Sequence, residues 1–417
     1  MRMNKKKEIV PKLRFPEFSK SYWGITRLNV LADKITERNK DDSIKRVFTN
    51  SATEGVIDQE EYFNRNIANK NNLTNYFVVE KGDYVYNPRI STTAPVGPIS
   101  KNKLGIGVMS PLYTVFRFRN KENDFYEHFF LTNLWHVYIK NLSNTGARHD
   151  RITISVDNFM KMPLPYASPE EQQKIADCLS SIDELIDAES RKLKALEKHK
   201  KGLMQKLFPA EGKTMPEWRF PEFQGCGEWK YEEIGEIGEV ITGKTPSTSD
   251  TALWDGNIQF VTPTDITENK YQHHTQRTVV KTPKMKILPK HTIMFTCIAS
   301  IGKMTLSLYP CITNQQINSI VPKSCYNNEF IYYSLLKKTF LIKDGFANST
   351  LPIINKTDFS KIQVPVILDK KEQQKIAECL SEADTMIEEQ SNKVEQLKAH
   401  KKGLMQGLFP SLEEADI

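Results

Sequence analysis

Apolar residues recur at alternating steps of four and three along two stretches of this chain. In the first they are Ile175, Leu179, Ile182, Ile186, Leu193, Leu196, Leu203 and Leu207; in the second, Ile376, Leu380, Ala383, Ile387, Val394, Leu397, Leu404 and Leu408. That spacing predicts a heptad seam on a long helix. The stretches are copies of each other: residues 171–209 and 372–410 align without a gap, with 24 of 39 positions identical. Polar residues interrupt both seams at matching places, first Glu189 and Gln390, then Lys200 and Lys401. Such breaks lower stability and fix register. Ser168-Pro169-Glu170-Glu171 reads as an N-cap, a proline at the first helical position and a capping-box glutamate, with Asp369 and Glu372 in the same parts. Pro209 and Pro410 follow the helix ends.

Charge along the helices indicates how they pair. Residues 170–189 hold seven acidic side chains and one basic; residues 190–206 hold seven basic and one acidic. The second copy has the same polarity, more weakly. Each arrangement suits its helix dipole. A parallel pair would stack like charges, so the expectation is an antiparallel pair. The alternative is two unrelated amphipathic helices, each on its own core.

The repeat extends beyond the helices. Leu13-Arg14-Phe15-Pro16-Glu17-Phe18 is answered by Trp218-Arg219-Phe220-Pro221-Glu222-Phe223, and Trp23 by Trp229. Each tryptophan precedes a short amphipathic helix and then Thr36 or Thr242. The unit is therefore an RFPEF arm, a tryptophan, a globular region of about 140 residues and a long helix, present twice in tandem; the expected result is pseudo-two-fold. In the first globular region, residues 76–79, the Lys81-Gly82-Asp83 turn and Tyr84-Val85-Tyr86 read strand, turn, strand. Residues 112–118 read as a strand, 124–139 as one helix, 144–150 as a polar loop and 152–154 as a strand. The second region follows the same order: a strand at 258–261, a turn and strand at 288–295, a strand near 311–320, a helix at 329–342 and a loop at 347–350. The helices are nearly identical, whereas the globular regions share a layout and few side chains. Two different ligands or subsites are expected.

The predicted class is α+β: two tandem globular domains of mixed strands and short helices, joined by two long helices packed as an antiparallel coiled coil. The expected boundaries are 1–167 and 210–368 for the globular domains, 168–209 and 369–410 for the helices, and 411–417 for an acidic tail. A chain of 417 residues accommodates this. No apolar run approaches the roughly 20 residues of a membrane span, and the basic N-terminus lacks the apolar core of a signal peptide, so a cytoplasmic protein is expected. The six cysteines form no CxxC or Cys/His cluster, which argues against zinc and for small buried thiols. The net charge is +7. The helices sum to about zero, so the surplus lies in the globular regions, as expected if they meet phosphates.

These features together resemble the specificity (S) subunit of type I restriction–modification complexes. The resemblance rests on the tandem RFPEF…Trp units, the KGDYVYNP and GVMSPLYTVF stretches, Trp254-Asp-Gly-Asn-Ile258 with Thr262-Pro-Thr-Asp265, Ala299-Ser-Ile-Gly-Lys303 with Asn314-Gln315, and the EQQKIA helices ending GLMQ-x-LFP. It covers nearly the whole chain. It implies two target-recognition domains, each reading one half of a split site on double-stranded DNA, with the helices acting as a ruler and as a dock for two methyltransferase subunits. It also implies two restriction subunits in the complex, S-adenosylmethionine in the methyltransferase partners, and ATP and Mg²⁺ in the restriction partners. A helix of about 37 residues is about 55 Å long, enough for readers at opposite ends to reach half-sites about 34 Å apart.

Candidate readers are polar loop residues. In the first domain these are Asn87, Arg89, Ser91, Thr92 and Thr93, with Arg148, His149 and Arg151 from the loop before the helix. In the second they are Lys244, Thr245, Ser247 and Thr248, then Thr296, Ser300 and Lys303, with Asn348, Ser349 and Thr350. Asn314, Gln315 and Gln316 are open to a structural role. Asn87-Pro88 begins like the Asn-Pro-Pro-aromatic loop of adenine methyltransferases, but Arg89-Ile90 departs from it. Gly243-Lys244-Thr245 lacks the upstream glycine of a phosphate loop. No glycine-rich cofactor turn or paired-carboxylate nuclease cluster is present, so a non-catalytic subunit is expected. Two other readings stay open: a stand-alone sequence-specific DNA-binding protein, and a helical scaffold whose globular domains bind protein.

Overall fold

The computed structural model describes residues 9–60, 73–145, 150–267, 269–298, 300–346 and 353–411. It divides into two compact units, Met1–Asp187 with Glu395–Ile417, and Ala188–Val394. Each unit contains one globular region and segments of both long helices, Pro169–Leu207 and Lys370–Leu408. The secondary structure is mixed α and β throughout.

In the first unit, strand Gly24–Arg27 pairs antiparallel with Pro163–Tyr166, the strand that feeds the long helix. One four-stranded sheet has the order Ala32–Lys34, Thr114–Phe118, Tyr84–Tyr86, Ile99–Lys101, and a second has the order Gly55–Asp58, Val47–Ser51, Gly107–Met109, Phe77–Val79. Tyr84–Tyr86 is buried on both faces. Tyr84 and Tyr86 enter an aromatic core with Trp23, Phe116, Phe125, Phe129 and Phe159, which also takes Ile175 and Leu179 from one long helix and Leu408 from the other. Val85 faces the opposite way and joins Phe48, Val79, Met109 and Val115. The two-residue period of the strand thus divides its side chains between two cores.

The second unit repeats this plan. Lys230–Glu233 pairs with Gln363–Val366. A five-stranded sheet contains Gly238–Thr242, Ile317–Pro322, Ile293–Thr296, Met304–Ser307 and Tyr271–Gln272, and a three-stranded sheet contains Arg277–Val279, Trp254–Val261 and Cys311–Thr313. Its main core joins Trp229, Phe295, Phe330 and Phe359 with Leu207, Ile376 and Leu380 from the long helices.

Three segments differ from the sequence expectation. Residues 124–139 form two helices, Asp124–Phe130 and His136–Leu142. The break falls where Thr132 Oγ1 donates to Phe129 O (2.7 Å) and the Trp135 indole donates to Phe130 O (3.1 Å), so side chains take carbonyls that a continuing helix would use. The expected loop at 144–150 begins as a strand, Asn144–Thr145, paired with Ile152–Thr153. The capping-box role expected for Glu171 and Glu372 is also replaced. Ser168 and Asp369 do accept backbone N–H groups of the first helical turn. The glutamate carboxylates instead accept forked pairs from the RFPEF arginines: Arg14 Nε and Nη2 to Glu171, both at 2.7 Å, and Arg219 Nε and Nη2 to Glu372 at 2.8 and 2.7 Å.

The polar breaks in the helix seam find partners within each unit. In the first unit Lys401 Nζ meets Asp183 at 2.5 and 2.6 Å. In the second, Lys200 pairs with Asp384, and Gln390 donates to the Glu189 carboxylate (2.7 Å) and carbonyl (3.0 Å). All sixteen seam residues are buried or half-buried. Beside these pairs each unit joins its globular region to a helix serine: His128 Nε2 lies 3.2 Å from Ser180 Oγ, and Tyr333 Oη lies 3.4 Å from Ser381 Oγ.

Replacing Arg219, whose side chain is 5% exposed against 0% for Glu372, with methionine strands a buried carboxylate. A loss of roughly 3–5 kcal/mol is expected in urea unfolding, with much less for Arg219→Met combined with Glu372→Met. A second outcome concerns pH. Burial, then the nearby Lys401 charge, lowers the His128 pKa from 6.5 to about 4; Lys103 adds to this, and Asp183 and Asp124 oppose it. The unfolded chain binds this proton more readily than the folded one. The stability at stake is therefore complete above about pH 6.5 and falls by roughly 1.4 kcal/mol per unit as the pH drops towards 4. His128→Tyr, which copies Tyr333, removes that slope in an unfolding series across pH.

Candidate nucleic-acid interface

The loop leaving strand Tyr84–Tyr86 is pinned by its own side chains. Asn87 Nδ2 donates to Asn50 O (2.8 Å), and its Oδ1 accepts from Arg89 N (3.0 Å). That amide ties the start of the loop to strand Val47–Ser51 and to the loop's own backbone. Ser91 Oγ accepts from Ala94 N (3.1 Å) and lies 3.2 Å from Thr93 Oγ1. Arg89, Ser91, Thr92 and Thr93 are exposed. Gly97, at φ +81, closes the loop against its start; a Cβ there would lie 2.0 Å from Asn87 O.

Two predicted patches that are distant in sequence meet here. Arg89 and Arg151 form an antiparallel bridge, with Ile90 N donating to Asp150 O (3.0 Å) and Ile152 N to Pro88 O (2.9 Å). Arg148 and His149 lie outside the described residues, as do Asn348, Ser349 and Thr350.

In the second unit the loop after Gly238–Thr242 docks on the segment 313–317. Lys244 N donates to Thr313 O (2.9 Å), and Thr245 Oγ1 donates to Gln315 Oε1 (2.6 Å). Asn314 donates to Gln316 Oε1 (2.9 Å) and accepts from Gln316 N (3.1 Å), so these amides shape the turn that receives the loop. Lys244, Ser247 and Thr248 are exposed. Lys244, Thr245 and Ser247 line a cleft of about 610 Å³ together with Lys284 and Lys286, the latter paired with Glu239. Thr296, Ser300 and Lys303 belong to a separate turn. Thr296 is fully buried, and its hydroxyl donates to Ser300 O and accepts from Lys303 N, which removes it as a surface reader. Ser300 and Lys303 are half-buried. This turn is tied to the segment after 352 by Ile354 N donating to Cys297 O (3.0 Å) and by an Ile298–Ile353 bridge. Sequence reasoning passed over Ile298 and Ile353 because it sought polar side chains.

The arrangement offers exposed cationic and hydroxyl groups on rigid backbone, suited to phosphates and base edges. Burial raises the thiol pKa of Cys297 to about 11 and of Cys311 to about 12, the mark of inert packing thiols. Among the described residues, no helix is long and apolar enough to cross a membrane.

A family model described as the type I restriction modification DNA specificity domain matches residues 26–198 and again 227–399. The chain belongs to that family. Each match takes in one globular region and most of its long helix. The MjaIX type I restriction enzyme specificity subunit of Methanocaldococcus jannaschii is 34% identical over 179 residues, 41% of this chain and 41% of that protein. The HindI specificity subunit of Haemophilus influenzae is 30% identical over 143 residues, 33% of this chain and 31% of that protein. These two alignments thus span less than half of either relative. The MjaVIII specificity subunit of Methanocaldococcus jannaschii is 26% identical over 322 residues, 72% of each chain. The crystal structure of a type I restriction–modification S subunit from M. genitalium shares the fold, with a TM-score of 0.62 at 16% identity over 96% of this chain and 99% of that one.

Gly97→Ala is expected to lower the stability of the first unit by at least about 1 kcal/mol, through its positive φ and the clash with Asn87 O. Gly24→Ala, where an added Cβ meets nothing within 4 Å, serves as the control in thermal unfolding.

Proposed function

We propose that this chain is the DNA sequence-recognition subunit of a type I restriction–modification complex. Each globular region, 1–167 and 210–368, reads one half of a split, asymmetric site. The helices 168–209 and 369–410 form an antiparallel coiled coil with pseudo-two-fold symmetry, set the spacer between the half-sites and dock two methyltransferase subunits. The single observation that carries this reading is a duplicated scaffold with near-identical helices and diverged surface loops. Identical supports with different loops suit two halves of an unequal target. The ion pairs Asp183–Lys401 and Lys200–Asp384 support the antiparallel pairing, because in both the N-terminal half of one helix meets the C-terminal half of the other.

Catalysis in this reading belongs to the partners: methyl transfer with S-adenosylmethionine in the methyltransferase subunits, and ATP- and Mg²⁺-dependent cleavage in two restriction subunits, all in the cytoplasm. This chain contributes position. Exposed lysines and arginines neutralise phosphates and supply a salt-dependent, sequence-independent part of the affinity; the loop side chains supply discrimination.

The test is methylation sequencing of DNA from a host expressing this chain with its methyltransferase partner. A split motif with N6-methyladenine in both halves, absent without this chain, is expected. Methylation that is unsplit or independent of this chain overturns the reading. Inserting seven residues after Ala188 and seven after its equivalent Glu389 lengthens each helix by about 10 Å. The spacer should grow by about three base pairs at ~3.4 Å each, with both half-sites unchanged.

A further inference from the structure

The two units carry one backbone device with opposite chemistry at its tip. In the first, Ile152 N donates to Pro88 O (2.9 Å), and Arg89 faces Arg151 across the resulting bridge. In the second, Ile354 N donates to Cys297 O (3.0 Å), and Ile298 faces Ile353. The correspondence is positional. Pro88 and Cys297 each stand four residues after the first residue of a strand, Tyr84 of Tyr84–Tyr86 and Ile293 of Ile293–Thr296, and these strands have the same place in their sheets. Ile152 and Ile354 both turn inward onto their main cores. Because side chains alternate along an extended segment, residues 151 and 353 turn outward: Arg151 is exposed, and Ile353 is 52% exposed.

Neither pair is explained by the fold. Like charges directly opposed across a bridge are destabilising. Arg151 has one distant carboxylate, Asp150 at 3.9 Å, and Arg89 has no side-chain hydrogen bond or ion pair among the described residues. A β-branched side chain held half in solvent at a loop junction likewise gains little from folding. The backbone hydrogen bond from the residue after the outward one, by contrast, is present in both units. We propose that this bridge is a specificity-determining position in each domain: Arg89 and Arg151 read guanine on its O6 and N7 acceptors in one half-site, and Ile298 and Ile353 read a thymine methyl group in the other. A guanidinium fork matches the two guanine acceptors, and an aliphatic side chain matches the one apolar group in the major groove. The backbone pins supply the rigidity that base discrimination needs.

The inference rests on the DNA-reading function proposed above, and its test separates the two. The full chain in complex with its methyltransferase subunit is titrated onto its methylated-motif duplex and onto duplexes carrying single base-pair changes. If the unsubstituted complex does not prefer the motif over random duplex, the function itself fails. If it does, Arg89→Ala and Arg151→Ala should flatten discrimination at one or two G·C pairs of one half-site by roughly 10- to 100-fold each. Ile298→Ala and Ile353→Ala should do so by a smaller factor at an A·T pair of the other. Discrimination in the untouched half-site is the internal control for folding. Uniform weakening across all duplexes with a shallower salt dependence marks phosphate contacts and overturns the proposal, as does unchanged discrimination.

Discussion

The buried arginine–carboxylate fork is the interaction on which the rest of this molecule depends. Glu171 and Glu372 sit at the first turns of the long helices with 1% and 0% of their side chains exposed. A carboxylate so placed is tolerable only with a partner that matches both oxygens, and the arginine fork does so. Because Arg14 and Arg219 lie just before Trp23 and Trp229, the pair sets where the chain enters each globular region relative to the helix by which it leaves. The short ladders 24–27 with 163–166 and 230–233 with 363–366 then close the base of each region, and the buried tryptophans fill the space beneath.

Within each unit a few polar contacts join the two long helices. Apolar heptads alone permit slippage by a whole repeat. A lysine that must find Asp183 or Asp384, and a glutamine that must find Glu189, penalise every register but one, because a misplaced partner leaves a charge or amide half-buried and unpaired. His128 and Tyr333 extend the same network into the globular regions. Each globular region is thereby tied to a long helix through a side chain as well as through its base.

The globular regions diverge throughout while keeping a common layout. The loop after 86 and the turn after 296 keep an equivalent backbone hydrogen bond while their outward residues change from arginine to isoleucine. The fold tolerates this because the pins are main-chain groups, which any residue other than proline can supply. Duplication followed by divergence around these retained backbone contacts gives two surfaces of unlike chemistry on one layout.

The long helices, the tandem repeat and the α+β class were legible in the sequence, since heptad periodicity and self-similarity are local or linear properties. Of the candidate residues, Arg89, Ser91, Thr92, Lys244 and Ser247 lie exposed. What the tertiary structure decided were the partnerships. Glu171 looked like a capping glutamate because its arginine lies 157 positions away. Thr296 looked like a surface hydroxyl because the turn that buries it closes only in three dimensions. The bridge of 89 with 151 and of 298 with 353 joins segments more than 50 residues apart. Periodicity reports which face of an element is buried; only the folded chain determines which distant group completes a buried charge or lies beside an exposed one.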